Sequence, residues 1–333
     1  MKLTALLLFL SISNSEIFHD LTQAEQSAAD NPTQTLVLYQ QYQSYLETMP
    51  VNVQLKWHKA AARAALRQSD VVGAEKIFIA MLPSYLQAGK NQQDYFYNLV
   101  GIWFRKAAFN QQALNAYQCA LSNQTTDLDK LKYLNNAAIA ARHLNQFELS
   151  IKLTEQALAI IKTSPSKPYE GAINNTLGMT ALMQQNYEGA KEAFQRSLFL
   201  REGLKRTSAQ LTSTLNLMTT YLLNHELDAF KRLDKRKLSE VELSFEQQVY
   251  LSWLNFLYQQ SLYRTAATPS TALVQDYLAL RDESIIALVK LMSRELHFVL
   301  PDHPVNQKTN LIYQGPLENY LNGCAFLSAE KKQ

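Results

Sequence analysis

The chain has 333 residues, 47% of them apolar and 18% charged, with only nine glycines and nine prolines. Such a composition buries a core and is not that of a disordered chain, and glycine this scarce argues against phosphate-cradling loops, dinucleotide turns and turn-rich β-sandwiches. The net charge of +3 is too small to point to nucleic acid through bulk charge.

The first residues read MKLTALLLFLSISNS. Lys2 precedes an apolar run from Leu3 to Ile12, and Ser13 and Ser15 stand like the −3 and −1 positions of a cleavage site. This is the layout of a secretory signal peptide over residues 1–15. It places the mature chain in a periplasm or outside the cell. A short N-terminal helix of a cytoplasmic protein is the alternative. A membrane span needs about twenty apolar residues. Neither this run nor any later one reaches that length, so no stable membrane insertion is expected.

Two-helix patterns then recur in chain order. A degenerate one opens near Glu16, with Tyr39 and Tyr42 on its second helix. The next starts at Leu55 and carries Ala61, Ala62, Ala65, Ala74 and Phe78. The one at Asp94 carries Tyr97, Val100, Gly101, Phe104, Ala113, Tyr117 and Ala120, and the one at Leu131 carries Leu134, Ala137, Ala138, Ala141, Phe147, Ser150 and Ala157. The clearest starts at Gly171. Ile173, Leu177, Gly178 and Ala181 share one helical face and Tyr187, Ala190, Phe194 and Leu198 another, with Gln185-Asn186 as the turn between them. A weaker unit starts at Leu211, with Leu217, Tyr221 and Leu227. The starts 16, 55, 94, 131, 171 and 211 are 39, 39, 37, 40 and 40 residues apart. Gly178 and Ala190 sit where paired helices cross, and only a minimal side chain lets backbones approach there. The segment TSPSKP at 163–168 is a linker, since its two prolines forbid a continuous helix.

The Gly171 unit resembles a tetratricopeptide repeat. Leu177-Gly178, Ala190 and Phe194 fall where that family has Leu-Gly, Ala and an aromatic residue, whereas Asn174, Ala181 and Ser197 depart from its pattern. The resemblance extends over about residues 16–240. It implies an all-α, right-handed α-solenoid of helix-turn-helix repeats, with extra residues in each unit lengthening helix ends and linkers. Residues 241–300 then serve as capping helices that hide the last apolar face. Residues 301–333 form a tail with a short helix at LENYLNGCAFL.

In that family the first helix of each pair lines a concave groove that takes a peptide or a partner's helix. Asn98, Asn135 and Asn175 occupy one repeat position in three successive units. The resemblance makes them an amide ladder able to hold a peptide backbone. The other reading is that they bond one another or a neighbouring helix. Lys56, Lys59, Arg63 and Arg67 are spaced 3, 4 and 4 apart, hence on one helical face, with no acid from Val51 to Ser69. Two like-charge i,i+4 pairs cost the helix about 0.2–0.5 kcal/mol each. The repeat frame points this face, with Arg105 and Arg142, into the groove, where it suits an acidic or carboxylate-terminated segment. A solvated basic face is the other reading. Phe96, Tyr97 and Phe104 are expected in the core, and Tyr95 in the groove.

No P-loop, GxGxxG, GxSxG or HExxH occurs, and the six histidines have no metal-ligand spacing. No catalytic residue, metal ligand or cofactor is assigned. His297, Asp302 and His303 read as a proline-rigidified turn, and the basic residues from Lys231 to Lys237 as a solvated helix end rather than a nucleic-acid contact. Cys119 and Cys324 read as two small buried hydrophobes; the other reading, open if the chain is exported, is that they pair, which requires the tail to fold back onto the middle of the chain. The expected function is a non-enzymatic scaffold or adaptor holding a protein or peptide partner. A ligand-responsive sensory module and an enzyme with the tail as a lid are the alternatives.

Overall fold

The computed structural model describes residues 14–88, 93–122, 125–202, 207–237, 243–264, 268–304 and 312–318. Residues 1–13 of the leader-like segment and most of LENYLNGCAFL lie outside them. The described residues are all-α, with no strand among them.

The helices come in pairs. They are α1 (Asn14–Asp30) with α2 (Pro32–Tyr42), α3 (Val51–Arg67) with α4 (Val71–Ala88), α5 (Gln93–Lys106) with α6 (Asn110–Leu121), α7 (Asp127–His143) with α8 (Phe147–Thr163), α9 (Lys167–Met183) with α10 (Tyr187–Arg201), and α11 (Thr207–Leu223) with α12 (Leu227–Lys237). A longer α13 (Phe245–Tyr263), a short α14 (Thr271–Ala279) and α15 (Glu283–Glu295) follow. The prolines of TSPSKP fall between α8 and α9 or in the first turn of α9, where a missing N–H costs nothing.

Local chemistry sets the ends. Thr126 caps α7 by accepting from the Asp129 N–H at 3.2 Å. Two acids in its first turn and Arg142 and His143 in its last complement the helix dipole. Asn186 caps α10 through the Gly189 N–H at 3.0 Å, and Ser244 and Gln247 form a reciprocal capping box on α13. From the second pair on, the turn inside each pair is closed by a residue with positive φ. Ser69, Ala108, Asn145, Gln185 and His225 stand 39, 37, 40 and 40 residues apart, and Arg264 stands 39 further on. The phase therefore runs past residue 240, and α13 has the place of one more first helix.

Contacts divide the described residues into two units. The first comprises those up to 107 with 118–122 and 313–318, and the second those of 108–117 and 125–312. In the first unit α3 packs against α1, α2, α4 and α5. Ala61, Ala62, Ala65, Ala74 and Phe78 are fully buried, and Phe96, Tyr97 and Phe104 are core residues, as their spacing requires, with Trp103 beside them. In the second unit α7 packs on α8 and α9, α9 on α10 and α11, and α11 on α12, α13 and α15. Ala190, expected at a helix crossing, is fully buried, as are the small residues Ala137, Ala138, Ala141, Ser150, Ala157 and Ser197 of the repeat pattern. A Cβ built on Gly178 would lie 2.7 Å from the Phe194 ring, which is why that crossing takes glycine. Each large side chain fully buried in these layers stabilises by about 1.5–3 kcal/mol.

Cys119 is fully buried and disulfide-bonded. The reading of an unpaired thiol is corrected for this residue. Cys324, the other cysteine of the chain, lies outside the described residues.

Candidate functional site

In the first unit the basic face of α3 stands as its spacing predicts. Lys56, Arg63 and Arg67 are exposed, and none of the three makes an ion pair among the described residues. Lys59 is half-buried, its ammonium 4.7 Å from the centre of the Tyr95 ring. Burial pulls its pKa down, while the charges of Asp94 and Glu25 oppose the fall. Tyr95 is thus a cation–π platform for Lys59. Arg105 is half-buried at the end of α5. Asn98 is only 2% exposed, so its amide is not offered to solvent, and its assignment to a peptide-facing ladder is corrected.

In the second unit the expected amide ladder is tied into the array itself. Asn135 Oδ1 accepts from the Thr176 hydroxyl at 2.8 Å. Asn175 Oδ1 accepts from Asn216 Nδ2 at 3.1 Å and from the Ser213 hydroxyl at 3.2 Å. Asn216 Oδ1 in turn accepts from the Tyr250 hydroxyl at 3.5 Å. The bonds step from α7 to α9 to α11 to α13. Of the two readings of these asparagines, the helix-to-helix one describes Asn135 and Asn175.

Nor is the first-helix face of this unit open. Eight consecutive residues of α11, Ser213 to Thr220, are buried. Helix α15 contributes Ile286, Val289 and Met292 to the same core as Met179, Leu215, Met218 and Leu222. Its first turn is fixed to the end of α7, where Arg142 Nη2 donates to Ser284 Oγ at 3.0 Å and His143 Nδ1 meets Glu283 Oε2 at 2.5 Å. Its last turn is fixed by Gln185 Nε2, which donates to Glu295 Oε1 at 2.8 Å. Arg142, expected to face a partner, is 7% exposed and faces α15 of its own chain. That role is corrected.

Other polar groups are structural. His58 is buried with Nδ1 2.8 Å from the Tyr39 hydroxyl. Burial lowers its pKa to about 4 and raises that of Tyr39 to about 12. His303 is buried and donates from Nε2 to the Tyr277 carbonyl at 3.0 Å. No cluster of three or more His, Cys, Asp or Glu suited to a metal occurs among the described residues. No described helix is long and apolar enough to cross a membrane. Of the basic residues after α11, Lys231 and Arg232 are exposed, and nothing is described of the side chains of Lys235, Arg236 and Lys237.

Sequence reasoning missed where the tail returns. Tyr313 packs edge-on to Trp103 and Phe104, with ring centres 5.0 and 5.4 Å apart, and its hydroxyl donates to Glu75 Oε1 at 2.7 Å. The lone tyrosine in an aperiodic stretch carried no signal of this. The role of α15 had a weak one, an amphipathic helix opening on Glu283-Ser284.

Residues 129–202 match the tetratricopeptide repeat family. No curated protein sequence matches the chain. Among solved structures, BtubC (BKLC) from P. vanneervenii is 14% identical, with a TM-score of 0.45 over 77% of this chain and 93% of that one. RapI in its apo form is 15% identical, with a TM-score of 0.49 over 84% and 72%. A Rap protein complexed with competence and sporulation factor is 14% identical, with a TM-score of 0.41 over 95% and 96%. At these values the three structures carry nothing about function. The family match spans α7 to α10, which include the unit in which the sequence pattern is clearest, and the likeness to tetratricopeptide repeats is established for that segment.

Proposed function

We propose that this chain is a non-enzymatic interaction module that holds an acidic segment of a partner protein on the basic face of α3. The observation that carries this reading is the row of Lys56, Arg63 and Arg67, exposed along one helix with no ion pair among the described residues. Holding like charges in register costs the isolated helix stability, and an anionic partner offsets that cost through charge-assisted bonds. Lys59, on the same helical face, is held on the Tyr95 ring. Asn135, Asn175 and Arg142 take no part, because their bonds serve the array. Crosslinking the chain in its native cell, with and without Arg63→Glu and Arg67→Glu, tests this. Loss of the captured chain in the double variant supports the reading. Unchanged capture places the partner on another surface.

We further propose that the chain is exported after cleavage behind Ser15. The leader-like layout of residues 1–15 supports this, and so does the disulfide at Cys119, since such bonds persist in oxidising compartments. A second reading, a ligand-responsive module, is favoured by α15 lying on the first-helix face of the second unit.

A further inference from the structure

Under the first turns of α15 lies a cavity of about 150 Å³. It is bounded by Arg142 and His143 at the end of α7, Met179 and Met183 on α9, Asn110 at the start of α6, and Glu283, Ser284, Ile286 and Lys290 on α15. All belong to the second unit. A cavity of this size admits a molecule of about benzene's dimensions. It is well below the roughly 300–1,000 Å³ of sites for larger ligands, and a peptide segment does not fit.

Three features distinguish it from a packing gap. Asn110 is only 4% exposed, and its Oδ1 is buried with no hydrogen-bond partner among the described residues. Buried polar groups without partners are rare and call for an explanation. Lys290 is half-buried and makes no ion pair among the described residues. Burial pulls its pKa down while the charge of Asp302 opposes the fall. Finally, the walls are of two kinds. Arg142, Lys290 and Asn110 gather polar groups, and Met179, Met183 and Ile286 gather apolar ones. Glu283 is the one acid on the wall and meets His143, so Arg142 and Lys290 leave the lining with an excess of positive charge.

We propose that this cavity binds a free short-chain carboxylate, its oxyanion held by Arg142, Lys290 and the Asn110 amide turned to donate, and its hydrocarbon end laid on Met179, Met183 and Ile286. The amide can turn because its oxygen and nitrogen are interchangeable within the same volume. The bound acid joins α7, α9 and α15. The proposal is independent of the partner site on α3, which lies in the other unit.

The test is titration calorimetry on the full chain with butyrate, against butyramide and inorganic phosphate as probes. Saturable butyrate binding is expected, with no binding of butyramide, which lacks the charge, and none of phosphate, which lacks the apolar end. Lys290→Met is expected to weaken butyrate at least about tenfold, the measure of one charge-assisted bond, with the circular dichroism spectrum unchanged. If Lys290→Met does not fold, Asn110→Asp is read in its place. It keeps the shape of the side chain and sets a negative charge beside the carboxylate, and the same loss is expected. The proposal is overturned if butyrate does not bind, if butyramide or phosphate binds as well as butyrate, or if the folded variant binds butyrate as tightly as the parent.

Discussion

Asn175 on α9 accepts a hydrogen bond from Asn216 on α11, 41 residues later, and Asn135 on α7 is bonded to Thr176 on α9 over the same interval of 41. One period plus one residue separates the partners in both cases. The register between successive first helices is therefore fixed by side-chain amides as well as by packing.

Asn175→Ala removes the acceptor for Asn216 and Ser213, which are 3% and 0% exposed. Stranding buried donors costs about 1–3 kcal/mol. We expect the urea midpoint to fall accordingly, with helicity at low denaturant unchanged. If the midpoint stays within error of the parent, the bonds do not hold the register.

Gly178→Ala places a methyl group 2.7 Å from the Phe194 ring, which is fully buried. Overpacking of this kind costs about 1–3 kcal/mol. The double variant with Phe194→Leu should recover part of the loss, and a double-mutant cycle in denaturant measures the coupling.

His58 makes stability depend on pH. Its pKa in the folded chain is depressed to about 4 from an ordinary 6.5, so in acid the unfolded chain takes up the proton first. Its contribution is whole above about pH 6.5, shrinks as pH falls from there to about 4, and changes no further below that. The loss across the window is about 3 kcal/mol. Unfolding free energy measured at pH 7.5, 5.5 and 4.5 should decline in the parent, and decline less in His58→Gln.

Partner capture through α3 should weaken as salt rises from low to physiological strength, because exposed charges are screened over about 8–10 Å. Arg63→Glu with Arg67→Glu should abolish capture and leave thermal stability within about 0.5 kcal/mol of the parent, as expected of exposed positions. Pull-down across a salt series, paired with melting curves, separates lost contact from lost fold.

The helix pairs were legible because the features that make them are local. Small residues at crossings and the offset between turns are written into each unit, and the positive-φ turns at Ser69, Ala108, Asn145, Gln185 and His225 keep the spacing of the units. The site was less so. The repeat frame says which way a first-helix side chain points, but not what the rest of the chain lays over it. Arg142 points as the frame says and meets Ser284, 142 residues on. Asn135 and Asn175 lie beside the next first helix, so residues one position further along reach their amides before any ligand does. The basic face of α3 is different, because no described segment covers Lys56, Arg63 or Arg67.

The clasp of Arg142 and His143 by the start of α15 also bears on how the chain matures. An array whose members touch only their neighbours can set each pair as it leaves the ribosome. Here α7 is among the earlier helices to be made and meets its last neighbour only when nearly the whole polypeptide has emerged. Truncation between the end of α11 and residue 283 therefore leaves apolar side chains of α9 and α11 bare, and such fragments should need chaperones that the finished molecule does not.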